Sequence, residues 1–232
     1  MTSRLFTSAA LAGLAAGLMA AALQIAFLVP LLLEGELYET GARIHFGGAG
    51  SVGSDAGAPG LWEEPARHAL TLAFNVVAQV GFALLLVAGF ALAERAGHAV
   101  TARQGALWGL AGFAAVQLAP AAGLPPELPG TVAADLAARQ VWWISTIACT
   151  ATGLAMIAFG RGLPWALGGA AVLLAPHVIG APHLGTYFGI APPELSAEFA
   201  ARSLAVAAAV WLVLGLTASH LWARPAPVPL PA

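Results

Sequence analysis

Two histidines flank a proline-broken helix end in Pro176-His-Val-Ile-Gly-Ala-Pro-His183, directly after the apolar run Trp165–Ala175. Ionisable or metal-ligating side chains at membrane depth are expensive to bury, so each is a functional-site candidate. The spacing His-x5-His is not a rigid pair on one helix face. It suits His177 in a last helical turn and His183 just beyond, past the glycine and proline that end the helix. His68, at the start of the second apolar segment, and His45, in a Gly-rich stretch, fall on the same expected side, with Glu34, Glu36 and Glu39 nearby. Neutral imidazoles plus carboxylates suit the borderline divalent ions Co²⁺, Ni²⁺ and Zn²⁺. The lone Cys149 supplies no set of thiolates. The candidate metal ligands are therefore His177, His183, His68, Glu34, Glu39 and His45. His98 and His220 lie near arginines on the other side and read as ordinary interfacial groups.

A second constellation follows His68. Thr71, Asn75 and Gln79 stand three, seven and eleven residues after it. On a helix the four stay within about 80° of arc and cover roughly 16 Å along the axis. Amides facing lipid are unfavourable, so this face should point into the protein. It reads either as donor atoms along an ion path or as interhelical hydrogen bonding, worth about 0.6–2 kcal/mol per contact. Gln24 and Gln117 each precede a Leu-x-Pro by a few residues and could add amide oxygens to the path or pack. Trp143, Thr146 and Thr150 form a weaker stripe whose threonines can bond their own backbone. Gly13 and Gly17 have the spacing of close helix packing.

The elements that must position these groups are membrane helices. Of 232 residues, 59% are hydrophobic and 9% charged, against about 25% charged in a soluble domain. Apolar runs near 20 residues long point to helices rather than a barrel. The expected fold is all-α, a single polytopic membrane domain with segments at 5–33, 67–93, 104–122, 140–160, 163–180 and 200–222. That makes six spans, or five if the short fifth segment is re-entrant. The first run is too long for a signal peptide and is expected to be an uncleaved span. Residues 34–66 form an expected outer loop, Gly-rich and flexible at 41–60, and 223–232 a Pro-rich tail. Arg4, Arg95, Arg103, Arg161 and Arg224 fall on one side in short connections, which places that side in the cytoplasm. Trp62, Trp142 and Trp143 mark the outer interface, and Trp108, Trp165 and Trp222 the inner one. Leu28-Val-Pro30, Leu118-Ala-Pro120 and Leu174-Ala-Pro176 recur. Each precedes an outer loop and a return helix opening with an acid shortly before arginine (Glu64–Arg67, Asp135–Arg139, Glu198–Arg202). The chain reads as three tandem helical hairpins, an arrangement like the parallel repeats of transporters.

Several functions are excluded by what is missing. There is no His-Glu-x-x-His, Walker loop, Gly-x-Ser-x-Gly or Cys-x-x-Cys, so the chain is not expected to be an enzyme, and ATP coupling would need another subunit. A net charge of −2 gives no reason to expect a nucleic-acid partner.

Ala12-Gly-Leu-Ala-Ala-Gly-Leu18, Gln24, and Val29-Pro-Leu-Leu-Leu-Glu34 running on to Glu36, Tyr38 and Glu39 resemble the CbtA family, the probable cobalt transporter subunit. So do Gly123-Leu-Pro-Pro-Glu-Leu-Pro-Gly130, Ala138-Arg-Gln-Val-Trp-Trp143, Pro176-His-Val-Ile-Gly-Ala-Pro182 and Phe199-Ala-Ala-Arg-Ser203. The resemblance implies a bacterial inner-membrane protein of cobalt uptake linked to cobalamin supply. It also implies a small CbtB-like partner with one span and a histidine-rich terminus, and five spans where the apolar runs suggest six. It implies no certain ligands. The resulting expectation is a Co²⁺ transporter subunit with no resident cofactor, in the lipid bilayer and open to homo-oligomerisation. Metal is captured by His177 with His183 and His68, helped by Glu34 or Glu39, and passed along Asn75 and Gln79. Two other classes stay open: a haem-binding electron-transfer membrane protein, and a structural or regulatory subunit whose partner carries the metal chemistry.

Overall fold

The computed structural model describes residues 2–45, 65–186 and 189–224. Residues 46–60 of the Gly-rich loop, Trp62, Glu64 and the tail from 225 onward lie outside them. Among the described residues every element is helical. The main helices are α1 (Thr2–Phe27), α2 (Val29–Glu39), α3 (Pro65–Arg95), α4 (Gly105–Phe113), α5 (Ala119–Ala121), α6 (Leu136–Phe159), α7 (Leu163–Ile179) and α8 (Pro193–Trp222). A 3₁₀ turn at Ala102–Gln104 leads into α4, and a π-helical turn at Ala114–Leu118 joins α4 to α5.

Four helices, α1 from Arg4, α3, α6 and α8, are long and apolar enough to cross a membrane. Of the other two expected spans, α7 has 17 residues, and the path from Gly105 to Ala121 is equally short. Each covers about 25 Å, below the roughly 30 Å of a hydrocarbon core. The first expected segment also differs. The run 5–33 is not one helix: the chain breaks at Leu28 and a new helix, α2, runs on to Glu39. Pro30 causes this, because it brings no N–H to the turn before it and is at home in a helix's first turn. Arg202 covers the exposed end of α1, its Nη1 donating to the Phe27 carbonyl at 3.5 Å.

The surface is that of a membrane protein. Leu70, Phe74, Val77, Leu85 and Leu92 form an exposed apolar ridge along α3, a pattern that a water-soluble monomer avoids. On the opposite face of the same helix Asn75, Gln79, Ala83, Leu86, Val87 and Phe90 are buried.

The chain divides into two compact units. The first comprises Met1–Ala22, Pro65–Gly112 and Ala207–Ala232. It is held by backbone-close crossings. A Cβ on Gly13 or Gly17 of α1 would fall within 3.0 Å of Val80 or Val76 of α3. Gly105 and Gly109 of α4 likewise meet the backbone of α8 at Gly215 and Trp211. The second unit comprises Leu23–Glu64 and Phe113–Val206. There α6 and α7 pair through Gly153 and Gly169, each facing the other's carbonyl. Between helices in lipid there is no hydrophobic driving force, so such close contacts carry the association.

Replacing Gly109 by leucine would drive a side chain into the Trp211 backbone, a cost of about 1–3 kcal/mol from overpacking. We expect Gly109→Leu to lower the apparent Tm of detergent-purified protein by several degrees. Gly81→Leu, where a Cβ meets nothing within 4 Å, should leave it unchanged.

Candidate functional site

The second unit gathers the motif segments around one aromatic side chain. Asp135 caps α6, its carboxylate accepting from the Ala138 N–H at 2.9 Å, and two turns on Trp142 points inward, 7% exposed. Its Nε1 donates to the Pro176 carbonyl of α7 at 3.0 Å. That carbonyl also accepts the Gly180 N–H at 3.0 Å, closing the helix, and Gly180, at φ 89°, takes the turn that an L side chain resists. The His177 ring meets Trp142 edge to face, centroids 5.9 Å apart and planes at 81°. At Gly123 a Cβ would come within 3.0 Å of both the indole and the Ala181 methyl. Trp142 is thus held between Gly123, Pro176 and His177. The Gly123–Gly130 segment continues to α2. Leu128 and Pro129 pack on Gly35, and Gly130, at φ 77°, sits against Glu39 and Ile190.

Three acid–arginine pairs lie in this unit. Arg43 holds Glu34, Arg139 donates to Glu127 at 2.8 Å, and Arg202 pairs with Glu198 one turn away. Of the two described acid–arginine spacings in the repeat, Glu198–Arg202 is therefore an ion pair. Asp135–Arg139 is not, because Asp135 is used as the cap and Arg139 reaches Glu127.

The candidate ligands are placed as follows. His177 lies in the last turn of α7 and His183 beyond Pro182, exposed, as the spacing predicts. Glu34 is half-buried on Arg43, and Glu39 is exposed at the end of α2. His45 is half-buried and has a partner. Gln24 is half-buried and also partnered, and Gln117 is half-buried in the π-helical turn. His68 belongs to the first unit, in the first turn of α3, half-buried and partnered. Among the described residues no three His, Cys, Asp or Glu side chains gather into a metal-holding group.

The polar stripe of α3 faces inward, as its chemistry requires. Thr71 Oγ1 donates to the Arg67 carbonyl at 2.9 Å, and Asn75 Nδ2 to the Thr71 carbonyl at 2.8 Å. Asn75 is 7% and Gln79 9% exposed, and the Gln79 Oε1 has no hydrogen-bond partner.

Sequence reasoning placed Trp142 and Trp143 at the outer interface and Trp222 at the inner one; Trp142 lies in the second turn of α6 and Trp222 in the last turn of α8, both with side chains buried in the protein. Trp142 is a buried anchor, whereas its neighbour Trp143 is 40% exposed. The buried stripe of α6 is Trp142, Thr146, Thr150 and Gly153, not the one opening at Trp143. Trp222 is buried, donating Nε1 to Glu94 at 2.8 Å with the Arg4 guanidinium 4.3 Å above its ring. Helical spacing gave no signal for this: counted from Trp143 the three residues fall within about 60° of arc, and counted from Trp142 within about 80°.

Trp142→Phe keeps an aromatic ring but removes the N–H and one of the two fused rings of the buried indole. The lost hydrogen bond, about 1 kcal/mol, together with the cavity left behind, should lower the apparent Tm by more than the roughly 2–4 °C that 1 kcal/mol makes in a chain of this size. Gly123→Val, which forces the indole out, should cost more in the same thermal melt.

No curated protein and no solved structure matches the chain significantly. The family described as probable cobalt transporter subunit, CbtA, matches residues 2–223, nearly the whole length. The chain therefore belongs to the CbtA family of probable cobalt transporter subunits.

Proposed function

We propose that this protein is the membrane subunit that carries Co²⁺ across the bacterial inner membrane, in support of cobalamin supply. The observation that carries the reading is the family match across residues 2–223. The inward-facing stripe of α3 is consistent with it, because a polar line at membrane depth needs a purpose or a partner. In this reading all six apolar segments cross, the two short ones by local thinning of the bilayer, and the helix end bearing His177 faces outward.

In the second unit metal is captured by His177 with His183, and in the first His68 offers a further imidazole. The His177 ring is held by its edge-to-face contact with Trp142 and, among the described residues, makes no hydrogen bond. Its nitrogens are then available to a borderline cation. Glu39, exposed nearby on the same unit's α2, helps, as does Glu34 once it exchanges Arg43 for metal; His45 lies further along the same connection. Within the first unit the ion moves past Thr71 to Asn75 and Gln79, and within the second Gln24 and Gln117 offer further amide oxygens. Ni²⁺ and Zn²⁺ are competing cargoes. A family named for a subunit implies a partner, here a small single-span, CbtB-like membrane protein that completes the ligand set.

The test is Co²⁺ binding by the full chain in lipid nanodiscs. His177→Ala should weaken affinity by about tenfold or more, the scale on which disturbing a metal site acts. Unchanged affinity would remove His177 from the site. Transport in proteoliposomes should fall in Asn75→Ala/Gln79→Ala. Normal transport in that variant would make the stripe a packing feature.

A further inference from the structure

The buried face of α3 changes character halfway along. From the His68 end it carries Thr71, Asn75 and Gln79. Beyond Gln79 it carries Ala83, Leu86, Val87 and Phe90, all buried and apolar. The polar line therefore stops. About 16 Å further along the axis, the Phe90 ring stands edge-on to Trp108 with centroids 5.0 Å apart, and 6.3 Å from Trp222. Trp222 is fixed in turn by its bond to Glu94 and by Arg4 stacked over its ring. Nearer Gln79, Phe82 packs on Trp211 at 5.2 Å. All these residues belong to one compact unit.

Gln79 differs from the polar residues before it. Thr71 and Asn75 spend donors on the carbonyls of their own helix. The Gln79 Oε1 is buried with no hydrogen-bond partner. An unsatisfied buried acceptor costs about 1–3 kcal/mol, and at this depth bulk water is not at hand to relieve it. Such an oxygen accepts a bond from a bound water or coordinates a cation directly. We propose that Gln79 Oε1 is the deepest ligand of an occluded site for a partly hydrated divalent cation, and that the Phe90–Trp108–Trp222 cluster closes the exit below it. A neutral amide oxygen replaces one water of hydration without adding charge, which keeps the ion weakly held and releasable. The apolar wall beneath acts as a hydrophobic constriction that excludes the hydrated ion until the aromatics part. This inference rests on the reading that a divalent metal is the cargo.

The experiment uses the full chain in nanodiscs with Co²⁺ as the probe. Gln79→Leu removes the oxygen and keeps an apolar volume; Gln79→Glu keeps the oxygens and adds charge. We expect Gln79→Leu to lose the weaker of two Co²⁺ sites, while Gln79→Glu tightens it about tenfold or more, as a charge-paired ligand should, and slows release. Accessibility gives a second measurement. In a Cys149→Ser background, Gln79→Cys should react with a membrane-impermeant maleimide from the His68 side and be protected by Co²⁺, while Val87→Cys should stay unlabelled from both sides. Wild-type Co²⁺ binding in Gln79→Leu, or free labelling of Val87→Cys, would overturn the proposal while leaving cobalt transport intact. A wild-type chain that binds none of Co²⁺, Ni²⁺ or Zn²⁺ would overturn both.

Discussion

An indole N–H buried at membrane depth must find an acceptor inside the protein, and in the second unit that requirement fixes the site. Trp142 finds the carbonyl of Pro176, at the point where α7 is about to end. The bond ties the first turns of α6 to the last turn of α7. The indole then supplies a flat wall for the His177 ring and fills the space left by Gly123. The segments around Gly123 and Pro176 are placed through this contact. Gly123 begins the loop that carries Leu128, Pro129 and Gly130 to Gly35 and Glu39 of α2. Pro176 and Gly180 end the helix so that Ala181 can close over the ring. His177 inherits its position from a neighbouring residue's hydrogen bond.

The same economy of contact holds the remaining helices together. Where two surfaces are equally apolar against lipid, association follows from how closely backbones approach. Gly13, Gly17, Gly105, Gly109, Gly153 and Gly169 sit at such approaches, with no room for a β-carbon. Large side chains then fill what remains: Trp211 lies over Gly112, and Trp108 beside Gly89. Aromatic bulk against glycine is the recurrent joint of both units.

This explains which features were legible in the sequence. The position of His177 in a last turn followed from glycine and proline, whose backbone constraints are local. The inward face of Asn75 and Gln79 followed from helical period and the cost of bare amides. The Gly13–Gly17 contact followed from spacing alone. Less legible was anything settled by competition between neighbours. Trp142 and Trp143 are adjacent, so one must face in and the other out, and composition cannot choose between them. Asp135 had two uses, capping its helix or pairing with Arg139, and the presence of Glu127 in a distant loop decided the matter. The break at Leu28 was hidden because the residues on both sides are equally apolar, and hydropathy does not register a missing N–H. The ligand set expected from the histidines joins His177 and His183 with His68, which belong to different compact units, and sequence spacing carries no information about how separate segments meet.

The distribution of charge bears on how a metal could be taken up at all. Glu34, Glu127 and Glu198 are each matched by an arginine. An acidic surface of unpaired carboxylates would attract divalent cations but would also hold them, since several negative ligands in low dielectric release a dication slowly. Matching these three acids with arginine lowers that attraction. Arginine suits the task better than lysine because its planar fork keeps a fixed geometry on the carboxylate while its charge is never lost, and the chain's basic residues are all arginine.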